Sequence, residues 1–156
     1  MIKRIVEKNL KNIKEDEHTD LAGLFESTGF ISGGIRNVTP RQAFELCKKG
    51  AVMLDVRQPY MTVYKVTDVP FLVFIPFHQL PERTEELKRE SQILCIDSVG
   101  LKSHDTWLML SERGFKNVLN VAGGIVEWER DGLPMKIDGT KMLTGSCACQ
   151  LKSRKR

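Results

Sequence analysis

The stretch that decides the fold is Ile93–Ser111, ILCIDSVGLKSHDTWLMLS. Ile93, Leu94, Cys95 and Ile96 make an apolar run too short for a helix and unbroken by polar residues, the pattern of a strand buried on both faces in a parallel sheet. Asp97-Ser98-Val99-Gly100-Leu101-Lys102 follows as a compact loop. The next segment reads as a helix, with Ser103 as the expected cap, Asp105 in the first turn, Trp107 and Leu110 on one face, and Gly114 as a left-handed stop. A strand that enters a tight loop ending at a helix N-terminus aims several backbone N–H groups at one point, and that point attracts anions.

On the N-terminal side, Thr39-Pro40-Arg41-Gln42 is a helix start: Thr39 caps, Pro40 takes the first helical position and Gln42 completes a capping box, with Lys48, Lys49 and Gly50 as the stop. Ala43, Phe44 and Cys47 share one face of that helix, so Cys47 reads as a core thiol. Ala51–Val56 (AVMLDV) is a buried strand. Phe71–Phe77 (FLVFIPF), bounded by Pro70 and interrupted by Pro76, reads as a core strand, and Leu80, Thr84 and Leu87 lie on one face of a charged helix over Pro81–Arg89. On the C-terminal side, Asn117–Val121 is a further strand. Gly123-Gly124 permits close backbone approach before a helix over Ile125–Arg130, which Gly132-Leu133-Pro134 ends. Strands alternating with helices imply an α/β sandwich around a mainly parallel sheet.

The chain has 156 residues, 41% hydrophobic and 28% charged, with a net charge of +4. These are the values of one ordinary globular domain, and no apolar run approaches the ~20 residues that span a bilayer. No secretory signal is apparent, because Met1–Ile13 interleaves Lys and Arg with its aliphatics. Within that stretch Ile2, Ile5, Val6, Leu10 and Ile13 recur at helical spacing. This amphipathic segment can pack on the domain or pair two chains as a homodimer; a membrane-surface role is the weaker reading, since it lacks Trp and Phe. Glu15-Asp16-Glu17 is read as its end, Asp20–Phe25 as a further helical turn, and Ser32-Gly33-Gly34 as the boundary between an appendage, residues 1–34, and a domain over residues 35–136. The tail, residues 137–156, ends in Lys152-Ser153-Arg154-Lys155-Arg156, a solvated charge run with no aromatic interleaving for nucleic acid. Four cysteines in a chain this long fit a reducing cytoplasm better than a disulfide scaffold.

Ile93–Ser103, LDVR at Leu54–Arg57 and NVLNVAGGIVEW at Asn117–Trp128 together resemble the rhodanese-homology domain, whose members carry sulfane sulfur on a loop cysteine. The resemblance implies a rhodanese-like three-layer α/β sandwich. It also implies a structural D-x-R, matched by Asp55 and Arg57, and a nucleophilic Cys at the strand end followed by an arc closing in Arg or Lys and then Ser. Here the arc is Ser98, Val99, Gly100, Leu101, Lys102 and Ser103, and the cysteine position holds Asp97. After the D-x-R, the family's helix and G-H-I-P-G-A-like turn are replaced by Tyr60–Val69 (YMTVYKVTDV).

A rhodanese thiolate is nucleophilic and is stabilised by the ring of N–H donors. Asp97 offers the charge without the sulfur chemistry and can fill the ring from within. The expectation is a binding or regulatory module that has lost ordinary thiosulfate sulfurtransfer and needs no cofactor. Cys95, two residues before the slot, reads as packing. Cys147 and Cys149, one residue apart between Lys141 and Lys152, are the candidate persulfide carriers of the alternative, a sulfur relay with a donor or acceptor protein. They supply only half a tetrahedral zinc site, and none of His18, His78 and His104 stands at ligand spacing, so no metal is expected. A phosphoryl-transfer role for Asp97 lacks the second nearby acid that would recruit magnesium. Lys102 is expected to pair with Asp97 or to hold an incoming anion.

Overall fold

The computed structural model describes residues 15–141. Its first element is helix α1 (Glu15–Ser27), followed by strand β1 (Phe30–Ser32), β2 (Ile35–Val38), helix α2 (Pro40–Lys48) and β3 (Val52–Asp55). Next come α3 (Pro59–Thr62), β4 (Lys65–Thr67), β5 (Leu72–Phe74), a 3-10 turn (Phe77–Gln79), α4 (Leu80–Arg83) and a second 3-10 turn (Thr84–Glu86). β6 (Ile93–Ile96), α5 (Leu101–Glu112), β7 (Val118–Val121), α6 (Gly124–Arg130), β8 (Met135–Ile137) and a 3-10 turn (Gly139–Lys141) complete the described chain.

Six strands form one sheet in the order β1-β2-β7-β6-β3-β5, and all its pairings are parallel except β1 with β2. β4 and β8 form a separate antiparallel pair. β6 is central, with Leu94 opposite Met53 on one side and Leu119 on the other. Alternation along the strands splits the core in two. Leu94 and Ile96 face a cluster with Met53, Val121, Ala43 of α2, and Ile125 and Trp128 of α6, whereas Ile93 and Cys95 face Leu54, Val118, Leu80 of α4 and Leu110 of α5. Helices therefore cover both faces of a mainly parallel sheet, the three-layer α/β sandwich expected from the alternation of elements. The capping box at Thr39 is formed, with Gln42 N–H donating to Thr39 Oγ1 at 3.2 Å and Thr39 N–H to Gln42 Oε1 at 3.0 Å.

Several local expectations are corrected. Glu15, Asp16 and Glu17 lie within α1 instead of ending a helix, and Leu21 and Phe25, assigned above to the appendage, are buried in the core with α2. Within Phe71–Phe77, expected as a core strand, the strand is Leu72–Phe74, half-buried at the sheet edge; the Phe71 carbonyl and the Ile75 N–H still bond to β3, and Ile75 alone of the run is fully buried with the core. The helix expected over Pro81–Arg89 is α4 plus a 3-10 turn that ends where Leu87 turns extended. Ile137 belongs to β8, so the compact part runs on past residue 136. The amphipathic segment, residues 2–13, and the tail with Cys147 and Cys149 lie outside the described residues.

Candidate functional site

Asp97 stands immediately after β6, and its carboxylate turns back into the loop that follows. Oδ1 accepts a hydrogen bond from the Gly100 backbone N–H and one from the Ser103 hydroxyl at 3.3 Å, while Oδ2 accepts from the Lys102 backbone N–H at 2.7 Å. The residue is 4% exposed. The focal point of this N–H ring thus already holds an anion that belongs to the chain.

The loop enters α5 earlier than the position of Ser103 suggests. Gly100, at φ +95°, is the residue before the first helical turn, and Ser103 lies inside that turn, buried, with its hydroxyl on Asp97. A left-handed glycine turns the chain within one residue, so no side-chain cap is required. Asp105 consequently falls beyond the first turn and lies 3.8 Å from His104 Nδ1. The other nitrogen of that ring, Nε2, donates to the Gly33 carbonyl at 3.1 Å and ties α5 to the β1–β2 turn. Lys102 contributes its backbone N–H to Asp97, but its ammonium stands 4.8 Å from the Phe77 ring centroid. The expected Lys102–Asp97 ion pair is replaced by a cation–π contact.

From the other side the loop is clamped by the start of α6. Ile125 N–H donates to the Asp97 carbonyl at 2.8 Å and Val126 N–H to the Ser98 carbonyl at 3.1 Å. The approach is so close that a Cβ on Gly124 would stand 2.4 Å from the Asp97 carbonyl oxygen. The Gly123-Gly124 pair was legible as a place of close approach, but its target was not.

The D-x-R forms a buried ion pair. Arg57 Nη2 lies 2.7 Å from Asp55 Oδ2, and Arg57 Nε donates to both carboxylate oxygens. Nη2 also donates to the Lys65 carbonyl at 2.7 Å, so the pair fastens the end of β3 to β4. Lys65, itself buried, reaches Glu129 of α6 at 2.7 Å.

The Tyr60–Val69 segment, which stands where the family's turn is missing, meets the loop through Met61. Ser98 Oγ lies 3.7 Å from Met61 Sδ of α3. Tyr60 and Val63 of this segment and Val99 and Leu101 of the loop, close in sequence to the two residues of that contact, are exposed apolar side chains that sequence patterning did not reveal. His78, for which the sequence offered no partner, has Gln58 and Gln79 each at 3.3 Å.

Neither described cysteine is suited to nucleophilic work. Burial pushes the Cys47 thiol up to about 12, and Cys95 is raised further by burial, with the negative charge of Asp97 adding to it. Cys95 is fully buried in the cluster that holds Leu54 and Leu110. Among the described residues no group of three or more His, Cys, Asp or Glu side chains is placed to hold a metal ion, and no helix is long and apolar enough to cross a membrane.

Comparison with known proteins agrees with this fold. The thiosulfate sulfurtransferase GlpE of Actinobacillus pleuropneumoniae serotype 3 is 31% identical over 107 residues, covering 68% of this chain and 97% of the relative. GlpE of Haemophilus influenzae is 29% identical over 104 residues (64% and 93%), and a sulfurtransferase of Allochromatium vinosum is 29% identical over 84 residues (54% and 77%). Among solved structures, a rhodanese-related protein of Thermoplasma volcanium superposes with a TM-score of 0.59 at 26% identity, covering 65% of this chain and 98% of that one. A rhodanese-like domain from Anabaena reaches 0.61 at 18% identity (77% and 93%), a likeness of fold alone. Residues 39–131 match the family model of the Rhodanese-like domain, which is more than half of the chain and contains both the D-x-R and the Asp97 loop. This chain belongs to the rhodanese-like domain family.

Proposed function

We propose that this chain is a rhodanese-like binding or regulatory module whose loop does not catalyse thiosulfate sulfurtransfer. One observation carries the reading: the Asp97 carboxylate occupies the N–H ring, taking donors from Gly100, Lys102 and Ser103. A carboxylate there cannot accept sulfur as a persulfide, and its negative charge opposes entry of a thiosulfate dianion into the ring. The exposed apolar side chains of the filled loop, Val99 and Leu101, and of the neighbouring segment, Tyr60 and Val63, are those through which such a module would bind.

The experiment is the conversion of thiosulfate and cyanide to sulfite and thiocyanate. The unaltered protein is expected to stay at the rate of the enzyme-free blank, and Asp97→Cys to exceed that blank by at least about tenfold, the thiol regaining both nucleophile and donors. Turnover by the unaltered protein, abolished by Asp97→Ala, would overturn the reading.

A second reading draws on the cysteines. With Cys47 and Cys95 buried and their thiols raised, sulfane sulfur carried by this chain would sit on Cys149 or Cys147, as in a relay between a donor and an acceptor protein. The described chain reaches Lys141, so the tether to Cys147 is six residues, roughly 20 Å when extended. After incubation with a persulfide donor, the relay reading requires a gain of about 32 Da on the tail peptide, removed by reductant. An unmodified tail peptide rejects it.

A further inference from the structure

Along β5 the sheet has an edge with no strand beside it among the described residues. The Phe71 carbonyl accepts from Met53 N–H, and Ile75 N–H donates to the Asp55 carbonyl, so the odd-numbered residues of this run turn their main-chain groups toward β3. By alternation Leu72 and Phe74 turn theirs outward, where no described strand meets them. Pro70 and Pro76 fall at the same outward positions and carry no N–H, which limits the donors of the free edge to Leu72 and Phe74.

A groove of about 810 Å³ runs along this edge and takes its walls from both layers of the core. Phe44 and Val69, from the cluster against which Leu72 packs, line it together with Leu87, from the cluster against which Val73 packs. No residue of the Asp97 loop lines it. Its charged groups are nearly all matched within the chain: Lys48 pairs with Glu45 at 2.6 Å, Lys136 with Asp68 at 3.1 Å, and Glu86 with Arg83 at 2.6 Å. Among the described lining residues only Lys88, which is exposed, has a charge without a counter-ion.

These features select the occupant. A helix keeps its own N–H and C=O groups paired, so it would cover Leu72 and Phe74 and leave their outward groups dry and unbonded. An extended strand satisfies them, giving and taking bonds along one of its two edges. A second copy offering its own β5 antiparallel would set proline against proline at both ends of the pairing. It would also bring no acid on that strand, since Phe71–Phe77 contains none. We infer that this edge takes a seventh strand from another protein: an extended segment with a short apolar run, paired to Leu72 and Phe74, and an Asp or Glu at the end that meets Lys88.

The test pans a random peptide library displayed on phage against the full chain and titrates the enriched sequences as synthetic peptides. Short apolar runs ended by an acid are expected, and on binding the Leu72 and Phe74 amides should become protected from hydrogen exchange. N-methylation of two alternate amides on the pairing edge of the peptide should weaken binding at least about tenfold, the worth of two hydrogen bonds, while methylation of the amides on its other edge should not. Lys88→Glu should weaken the acid-ended peptides about threefold and spare the same peptides with Gln for the acid. The inference is overturned by a library that enriches nothing, by protection confined to other amides, or by binding that responds alike to the two methylation patterns. Self-association of the unaltered chain that Phe74→Pro disperses would overturn it too, making a second copy the occupant.

Discussion

Gly124→Ala is expected to cost about 3–4 kcal/mol, more than any other single methyl group added near the loop. The new Cβ would stand 2.4 Å from the Asp97 carbonyl oxygen, 2.8 Å from the Ser98 carbonyl carbon and 2.9 Å from its oxygen. These are main-chain atoms, already held by Ile125 N–H and Val126 N–H, and unlike a long side chain they cannot swing away. The residue also has φ +57°, where an alanine costs about 1 kcal/mol by itself. Gly34→Ala separates the two effects, because Gly34 has φ +77° and nothing within 4 Å of its added Cβ; it should lose only about 1 kcal/mol. Urea unfolding of the two variants checks this, and equal losses would show that the close approach of α6 to the loop contributes nothing. Faster hydrogen exchange at the Gly100 and Lys102 amides is expected in Gly124→Ala alone, since the clamp and the N–H ring share Asp97.

The strand and loop of the site were legible because burial on both faces leaves an unmistakable pattern: Ile93–Ile96 has no polar residue to hide. The capping box at Thr39 was equally plain, since its chemistry is confined to four consecutive residues. What failed depended on partners distant in sequence. Ser103 reads as a cap in isolation, but Gly100 turns the chain first and leaves the Ser103 hydroxyl free to serve Asp97. Lys102 reads as a counter-ion until Phe77 arrives from the β5 side to receive its ammonium. β4 has no pattern of its own and exists by pairing with β8, some seventy positions later, as Thr67 opposite Met135 shows. The Asp97 substitution itself was visible from one residue. That its carboxylate reaches the N–H groups of both Gly100 and Lys102 depends on the left-handed turn at Gly100, which no side-chain pattern marks.

A second large effect is expected at the D-x-R. Asp55→Ala removes the carboxylate from a guanidinium whose side chain is 1% exposed, deleting a 2.7 Å ion pair and the bonds to Arg57 Nε. A buried charge that loses its counter-ion typically costs 3–5 kcal/mol, on the order of a third of a domain's whole stability. The damage should spread in one direction. Arg57 also holds the Lys65 carbonyl, and Lys65 holds Glu129 of α6, so loosening Arg57 loosens β4 and then the helix whose start clamps the Asp97 loop. The pair is nonetheless better described as a device of position than as a source of net stability, because taking two charges out of water offsets most of their attraction. Asp55→Leu combined with Arg57→Met, which keeps apolar bulk and removes both charges, should therefore recover at least about half of the loss seen in Asp55→Ala. Chemical unfolding of the two variants decides the point. A double variant as unstable as the single one would mean that the bond from Arg57 to Lys65, which both changes weaken, is what holds β3 to β4.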